Sequence, residues 1–219
     1  MVNHGPDAWK TKPTDRFVLK WIKLHLSARI TPSLVKVTWL RPWMITTSSA
    51  ILGIIAGVIF ALGSGWLAGL IAICSQVLDG VDGQFARLTG RQSMAGAYLD
   101  SVLDRYSDGA MMIGLFIYLI KLPAFIPLWQ IISIGSFALI GSNLISYSGA
   151  RADSLNINLG KPTLAGKGTR MTVMIVSGLG SSLWAPLPMA ALCYLAIHPN
   201  SAVIYRIFRS LRSGSVEIK

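Results

Sequence analysis

Long stretches of this chain carry no charge. Pro42 to Leu78, Leu122 to Ala150 and Met171 to Tyr205 contain no Lys, Arg, Asp or Glu. A helix needs about 20 residues to cross about 30 Å of hydrocarbon. The first run is long enough for nearly two such helices, and Gly63-Ser64-Gly65 is the natural break. This predicts one helix over 44–62 and a second that starts near Trp66. The second has only Trp66 to Leu78 before it meets Asp79. That is too short to span, so it must continue to about Arg87 and carry Asp79 and Asp82 with it. The next run, Gly109 to Ile120, is short in the same way. Its helix must begin near Met94 and take in Asp100, Asp104 and Asp108. Further helices are expected over 126–150, 170–185 and 187–208, with Pro186 and Pro188 marking the last turn. The fold class expected is an all-α integral membrane protein of six transmembrane helices.

Before the first span, Phe17, Trp21 and Leu24 recur at helical spacing, and Arg16, Lys20 and Lys23 recur on another face. The pattern predicts an amphipathic interfacial helix lying on the membrane, with Trp9 and Trp21 suited to the headgroup region. The expected organisation is a basic interfacial segment over 1–43, a six-helix catalytic unit over 44–208 and a tail over 209–219. No internal repeat stands out.

Composition agrees with this reading. Hydrophobic residues make up 53% of the chain and charged residues 13%, about half the ~25% typical of soluble domains. Disorder is excluded. The net charge of +11 would suggest nucleic acid in a soluble protein; here it suggests basic loops against anionic lipid, with no nucleic-acid partner. Basic residues precede the first span and recur in the second-to-third connection (Arg87, Arg91), the fourth-to-fifth (Arg151, Lys161, Lys167, Arg170) and the tail, while the opposite side holds only Lys121. The positive-inside rule then puts both termini and these connections in the cytoplasm, as expected for a prokaryotic plasma membrane. No apolar core of signal-peptide length appears in the basic first thirty residues. Cys74 and Cys193, both in apolar runs, form neither a disulfide framework nor a zinc site.

The acidic residues carry the chemistry. Asp79 and Asp82 are i, i+3 at the end of the second helix; Asp100 and Asp104 are i, i+4 at the start of the third. Each pair shares a helix face, and the turn between the helices brings the two faces to one end of the membrane. Carboxylates there are costly, and mutual repulsion adds to the cost. Divalent cations relieve both. Oxygen-only ligands favour Mg²⁺, Mn²⁺ or Ca²⁺ over zinc, and carboxylates split between two helices suit a two-ion clamp on phosphoryl groups. Gly80, Gly83 and Gly96 lie beside the aspartates and leave room for a ligand near the backbone, while Arg87 supplies a positive charge for a phosphate. From spacing alone, catalysis, ion or proton transport, and structural ion pairing all remain open. Transport needs acids along the whole path, and these are confined to one end.

Asp79-x2-Asp82-Gly83-x2-Ala86-Arg87-x8-Gly96-x3-Asp100-x3-Asp104 resembles, position for position, the signature of the CDP-alcohol phosphotransferase family. Arg41-Pro42-x3-Thr46 is similar to that family's entry to the first span. The resemblance implies transfer of a substituted phosphate from a CDP-linked donor such as CDP-diacylglycerol to an alcohol, with release of CMP. It implies two divalent ions, Mg²⁺ or Mn²⁺, held by Asp79, Asp82, Asp100 and Asp104. Asp104 is expected to be the general base. Asp79, Asp82, Gly83, Ala86, Arg87 and Gly96 are expected to bind the CDP donor. Gly96-Ala97-Tyr98-Leu99-Asp100-Ser101-Val102-Leu103-Asp104-Arg105 resembles the branch that uses inositol phosphate, and Arg151, Lys161 and Arg170 are the expected acceptor-binding residues. Gly149 stands where that branch often has a basic residue, and glycerol 3-phosphate or another alcohol is the alternative acceptor. A homodimer is a family expectation. Asp108 is read as a partner for Arg105.

Overall fold

The structure, a computed structural model, describes Trp9, Thr11 and residues 17–122, 126–160 and 163–213. Among these, every regular element is a helix. The chain enters through α1 (Phe17–Trp21), a π-helical turn (Ile22–Ser27) and α2 (Ala28–Val35). Six longer helices follow: α3 (Pro42–Ala61), α4 (Gly65–Leu88), α5 (Met94–Lys121), α6 (Leu128–Ser154), α7 (Lys167–Gly180) and α8 (Leu187–Ser213).

Local chemistry sets the boundaries that matter for the site. Arg41 is extended, as a residue before proline should be, and Pro42 opens α3 with its ring already at a helical φ. Ser93 caps α5, its hydroxyl oxygen accepting the Gly96 N–H at 3.0 Å. α4 and α5 extend through the aspartates, as the short apolar runs required. α6 runs past position 150 to Ser154, and α7 starts at Lys167 and ends at Gly180 rather than spanning 170–185. Arg151, Asp153 and Lys167, beyond the ranges the apolar runs predict, lie inside the helices. A helix does not stop at a charge that finds a counter-charge or water.

α3 is the hub: it packs against both α4 and α5, while α7 leans on α4 and α6 pairs with α8. The α3–α5 approach is close enough that a Cβ on Gly114 would collide with the Gly57 carbonyl, and one on Gly57 with the Ala110 carbonyl. The main core joins α3, α4, α5, α7 and α8 through Ala56, Phe60, Ala72, Met111, Leu115, Met171, Met174 and Leu192. A second core of Ile22, Ile45, Val77, Val81 and Phe85 fixes the entry segment to α3 and α4.

The exterior is apolar. Ile51, Ile54 and Val58 on α3, Phe137, Ile140 and Leu144 on α6, and Ile197, Ile204 and Phe208 on α8 are all exposed. Such patches are untenable in water and are the normal surface in lipid. α3, α6 and the Leu187–Leu211 part of α8 are long and apolar enough to cross a membrane. This is therefore a membrane protein. Exposed tryptophans fall in two groups: Trp21, Trp39 and Trp43 near the start of α3, and Trp66, Trp129 and Trp184 at the helix ends opposite. This is the placement of the two aromatic belts of a spanning protein.

Candidate active site

The site lies where α4 ends and α5 begins. One carboxylate oxygen from each of Asp79, Asp100 and Asp104 lies within 4.8 Å of the other two. Asp82, one turn beyond Asp79, is held by α3: the Thr46 hydroxyl donates to its Oδ2 at 2.7 Å. The four aspartates of the signature are thus gathered from two helices braced on a third. An all-oxygen donor set of this kind fits a hard divalent ion.

Two lysines reach the same cluster. Lys167, the first residue of α7, places Nζ 2.8 Å from Asp79 Oδ1 and 2.6 Å from Asp104 Oδ1. Lys23, in the π-helical turn, places Nζ 2.8 Å from Asp79 Oδ2. Both are largely buried, so these are strong, weakly screened contacts. Lys23 was expected on the solvent-facing polar face of the entry helix beside Lys20. Lys20 is exposed, but Lys23 turns inward. The face opposite Phe17, Trp21 and Leu24 packs on α4, and the Asp79 carboxylate gives the lysine a counter-charge there. In the sequence Lys167 stands among the four basic residues of the fourth-to-fifth connection but not among the expected site residues. Its direct adjacency to the α7 apolar run, on the aspartate side of the membrane, was the available signal.

A cleft of about 650 Å³ opens beside the cluster. Asp82, Gly83, Ala86, Arg87, Gly96 and Asp100 line it, together with Arg41, Trp43 and Arg91. Five of the six expected donor residues therefore share one cavity wall, with Asp79 one turn from Asp82. Arg91 Nη1 donates to the Leu40 carbonyl at 2.8 Å and ties the α4–α5 turn to the start of α3. The glycines divide. Gly83 and Gly96 face the cleft, whereas the space over Gly80 is filled by Ser27 and Lys23 of the entry segment and not by a ligand.

Of the expected acceptor residues, the two within the described residues, Arg151 and Arg170, lie in different settings. Arg170 is 1% exposed. It donates to Asp108 Oδ2 at 2.7 Å, to the Ala165 carbonyl at 2.8 Å and to Ser146 Oγ at 3.4 Å. Asp108 is accordingly the partner of Arg170 and not of Arg105. Arg151 is exposed and touches Ser154 in its own helix. Lys161, like Lys10, Lys12, Arg16 and Lys219, lies outside the described residues. Arg206 of α8 reaches the same stretch of α6 as Arg170, through the Ile145 carbonyl and Ser148.

The profile of the CDP-alcohol phosphatidyltransferase family matches residues 39–199, and this chain belongs to that family. Among its relatives, the bifunctional IPC transferase and DIPP synthase of Thermococcus kodakarensis is 38% identical over 138 residues, 63% of this chain and 30% of that protein. The chain thus spans about a third of the length of that bifunctional relative. The phosphatidylinositol phosphate synthase of Cutibacterium acnes is 32% identical over 192 residues, covering 83% of this chain and 86% of that one. The archaetidylinositol phosphate synthase of Pyrococcus horikoshii is 31% identical over 140 residues, 64% and 70% of the two chains. The fold resembles the crystal structure of Mycobacterium tuberculosis phosphatidylinositol phosphate synthase with CDP-DAG bound, with a TM-score of 0.77 over 89% of this chain and 98% of that one at 21% identity. The same enzyme in complex with manganese and citrate gives the same TM-score, 0.77, over 88% of this chain and 93% of that one.

Proposed function

We propose that this protein transfers a phosphatidyl group from CDP-diacylglycerol to a hydroxyl of inositol phosphate and releases CMP. The observation that carries the reading is the convergence of the signature aspartates beside a cleft lined by Arg41, Arg87 and Arg91. Relatives named for phosphatidylinositol phosphate and archaetidylinositol phosphate synthesis support the acceptor. The alternative acceptor, glycerol 3-phosphate, would use the same chemistry.

Asp79, Asp82, Asp100 and Asp104 are the residues proposed to hold two divalent ions, Mg²⁺ or Mn²⁺. When bound, the ions offset the charge of the diphosphate and of departing CMP. The cytidine diphosphate part of the donor is assigned to the cleft wall, with Gly83, Ala86 and Gly96 allowing close approach and Arg87 facing phosphate. Asp104 takes the proton of the acceptor hydroxyl. The hydroxyl oxygen then bonds to the phosphorus that carries diacylglycerol, and the bond from that phosphorus to the bridging oxygen breaks. CMP leaves with the electron pair. Lys167, against Asp104, is the cation nearest the base and is assigned to the acceptor side together with Arg206. Arg170 supports that side through Asp108 rather than touching the acceptor. Six spans are proposed, with α4, α5 and α7 completed by their neighbours. Fourteen-residue α7 rises only about 21 Å. Cytoplasmic termini and a cytoplasmic site follow from the basic connections, and dimerisation is proposed from the family alone.

The test is CMP release by purified protein in nanodiscs with CDP-diacylglycerol and a panel of inositol phosphate, glycerol 3-phosphate, inositol and serine. Inositol phosphate should be preferred, activity should vanish with EDTA, and Mg²⁺ or Mn²⁺ should restore it. Full turnover in a metal-free preparation would sink the site assignment, and equal use of free inositol would sink the acceptor.

A further inference from the structure

The entry segment carries more contacts to α4 than a membrane anchor requires. Ser27 Oγ donates to the Val77 carbonyl at 2.7 Å. Thr31 Oγ1 donates to Gln84 Oε1 at 2.7 Å, and Gln84 Nε2 donates to the Lys23 carbonyl at 2.9 Å. All of these groups are buried. Ile22 joins the core of Val77, Val81 and Phe85. Gly80 supplies a groove for the lysine stem: a Cβ there would lie 2.9 Å from Lys23 Cγ and collide with Ser27 Oγ. The backbone carbonyl and the side-chain stem of Lys23 are therefore both fixed before its ammonium meets Asp79. The fixed residue sits in the π-helical turn, a distortion that recurs at functional sites because it re-aims side chains. The widened turn lets Ile22, Lys23 and Ser27 all face α4 while Trp21 and Leu24 stay exposed.

We infer that Lys23 is a positioning residue of the active site: the entry segment delivers its ammonium to Asp79 Oδ2 and so aims the other carboxylate oxygen at the ion cluster. Lys23 touches neither substrate nor reacting atoms; it acts through Asp79. Lys167 differs, because it bridges Asp79 and Asp104 from the acceptor side. A buried carboxylate that loses its partner on one oxygen is free to rotate, and rotation spoils it as a ligand. The inference rests on the metal-dependent reading given under Proposed function.

The experiment measures Mn²⁺ binding by electron paramagnetic resonance and steady-state CMP release, on the full chain in nanodiscs. Lys23→Met should weaken Mn²⁺ binding and lower kcat by about tenfold or more, the usual effect of removing a partner of a metal ligand, with the acceptor KM unchanged. Lys23→Arg should recover most of both. Lys20→Met, which removes an exposed charge from the same segment, should match wild type. Gly80→Ala keeps the charge but pushes the Lys23 stem off Asp79. It should weaken Mn²⁺ binding in the same direction, and it serves if Lys23→Met fails to fold. Wild-type Mn²⁺ affinity in Gly80→Ala or Lys23→Met overturns the inference, as does an equal loss in Lys20→Met. If wild type itself neither binds Mn²⁺ nor releases CMP, the functional reading falls and takes the inference with it.

Discussion

Asp104 and Arg170 show how differently two charged residues at one membrane face are used. Asp104 sits in the aspartate cluster with one oxygen on Lys167. Asp104→Asn keeps its size and removes its basicity, so turnover should be lost while donor affinity is largely retained, as read by CMP release and by binding of CDP-diacylglycerol. Activity within about tenfold of wild type, a barrier change of only ~1.4 kcal/mol, would show it is not the base. Arg170 and Asp108, 1% and 4% exposed at their side chains, join α7 to α5. Arg170→Ala leaves a buried carboxylate without its counter-charge and should cost about 3–5 kcal/mol of stability. Combining it with Asp108→Leu should restore most of that loss, measured by denaturant titration in detergent. A change confined to acceptor KM, with stability intact, would return Arg170 to the acceptor pocket. The aspartates were legible in the sequence because their spacings fall inside two continuous helices. Lys167 was not, because its contact with Asp79 spans 88 positions and depends on where α7 begins. Lys23 was misplaced because an ideal helical period puts it beside Lys20; the π-helical turn and the Asp79 carboxylate decide otherwise.

At the scale of elements, length was the informative quantity. Trp66–Leu78 and Gly109–Ile120 are too short to span, and that shortness alone required α4 and α5 to run on through charged residues. The ends of α6 and α7 were less legible: Arg151 and Asp153 stay in helix at an exposed end, and Lys167 and Arg170 stay in helix through buried ion pairs. The closeness of α3 and α5 was also hidden, since a glycine in a span has many possible reasons. It can be tested by a pair of identical changes. At Gly109 a Cβ meets nothing within 4 Å, whereas at Gly114 it strikes the Gly57 backbone. Gly109→Ala should leave stability unchanged or raise it by up to about 1 kcal/mol, from helix propensity. Gly114→Ala should lower it by about 1–3 kcal/mol, the range for overpacking, and should shift α5 and with it Asp100 and Asp104. Denaturant titration of the two variants side by side checks the opposite signs.

For the whole molecule, the placement of the cleft between belt and core has a kinetic consequence. Trp43 lines the cleft and is itself 53% exposed. On the proposed reaction, with Trp43 at the height of the lipid headgroups, the donor's polar end would enter there while its acyl chains stay in the leaflet. Donor encounter would then be two-dimensional, by lateral diffusion rather than by extraction of a lipid into water. Its rate should follow the mole fraction of CDP-diacylglycerol in the membrane, not its amount per volume. Adding inert phosphatidylcholine at constant bulk donor should slow CMP release in proportion to the dilution, whereas adding more vesicles of fixed composition should leave the rate per enzyme unchanged. Cells that change the surface density of the donor would thus set the flux directly, without altering the enzyme.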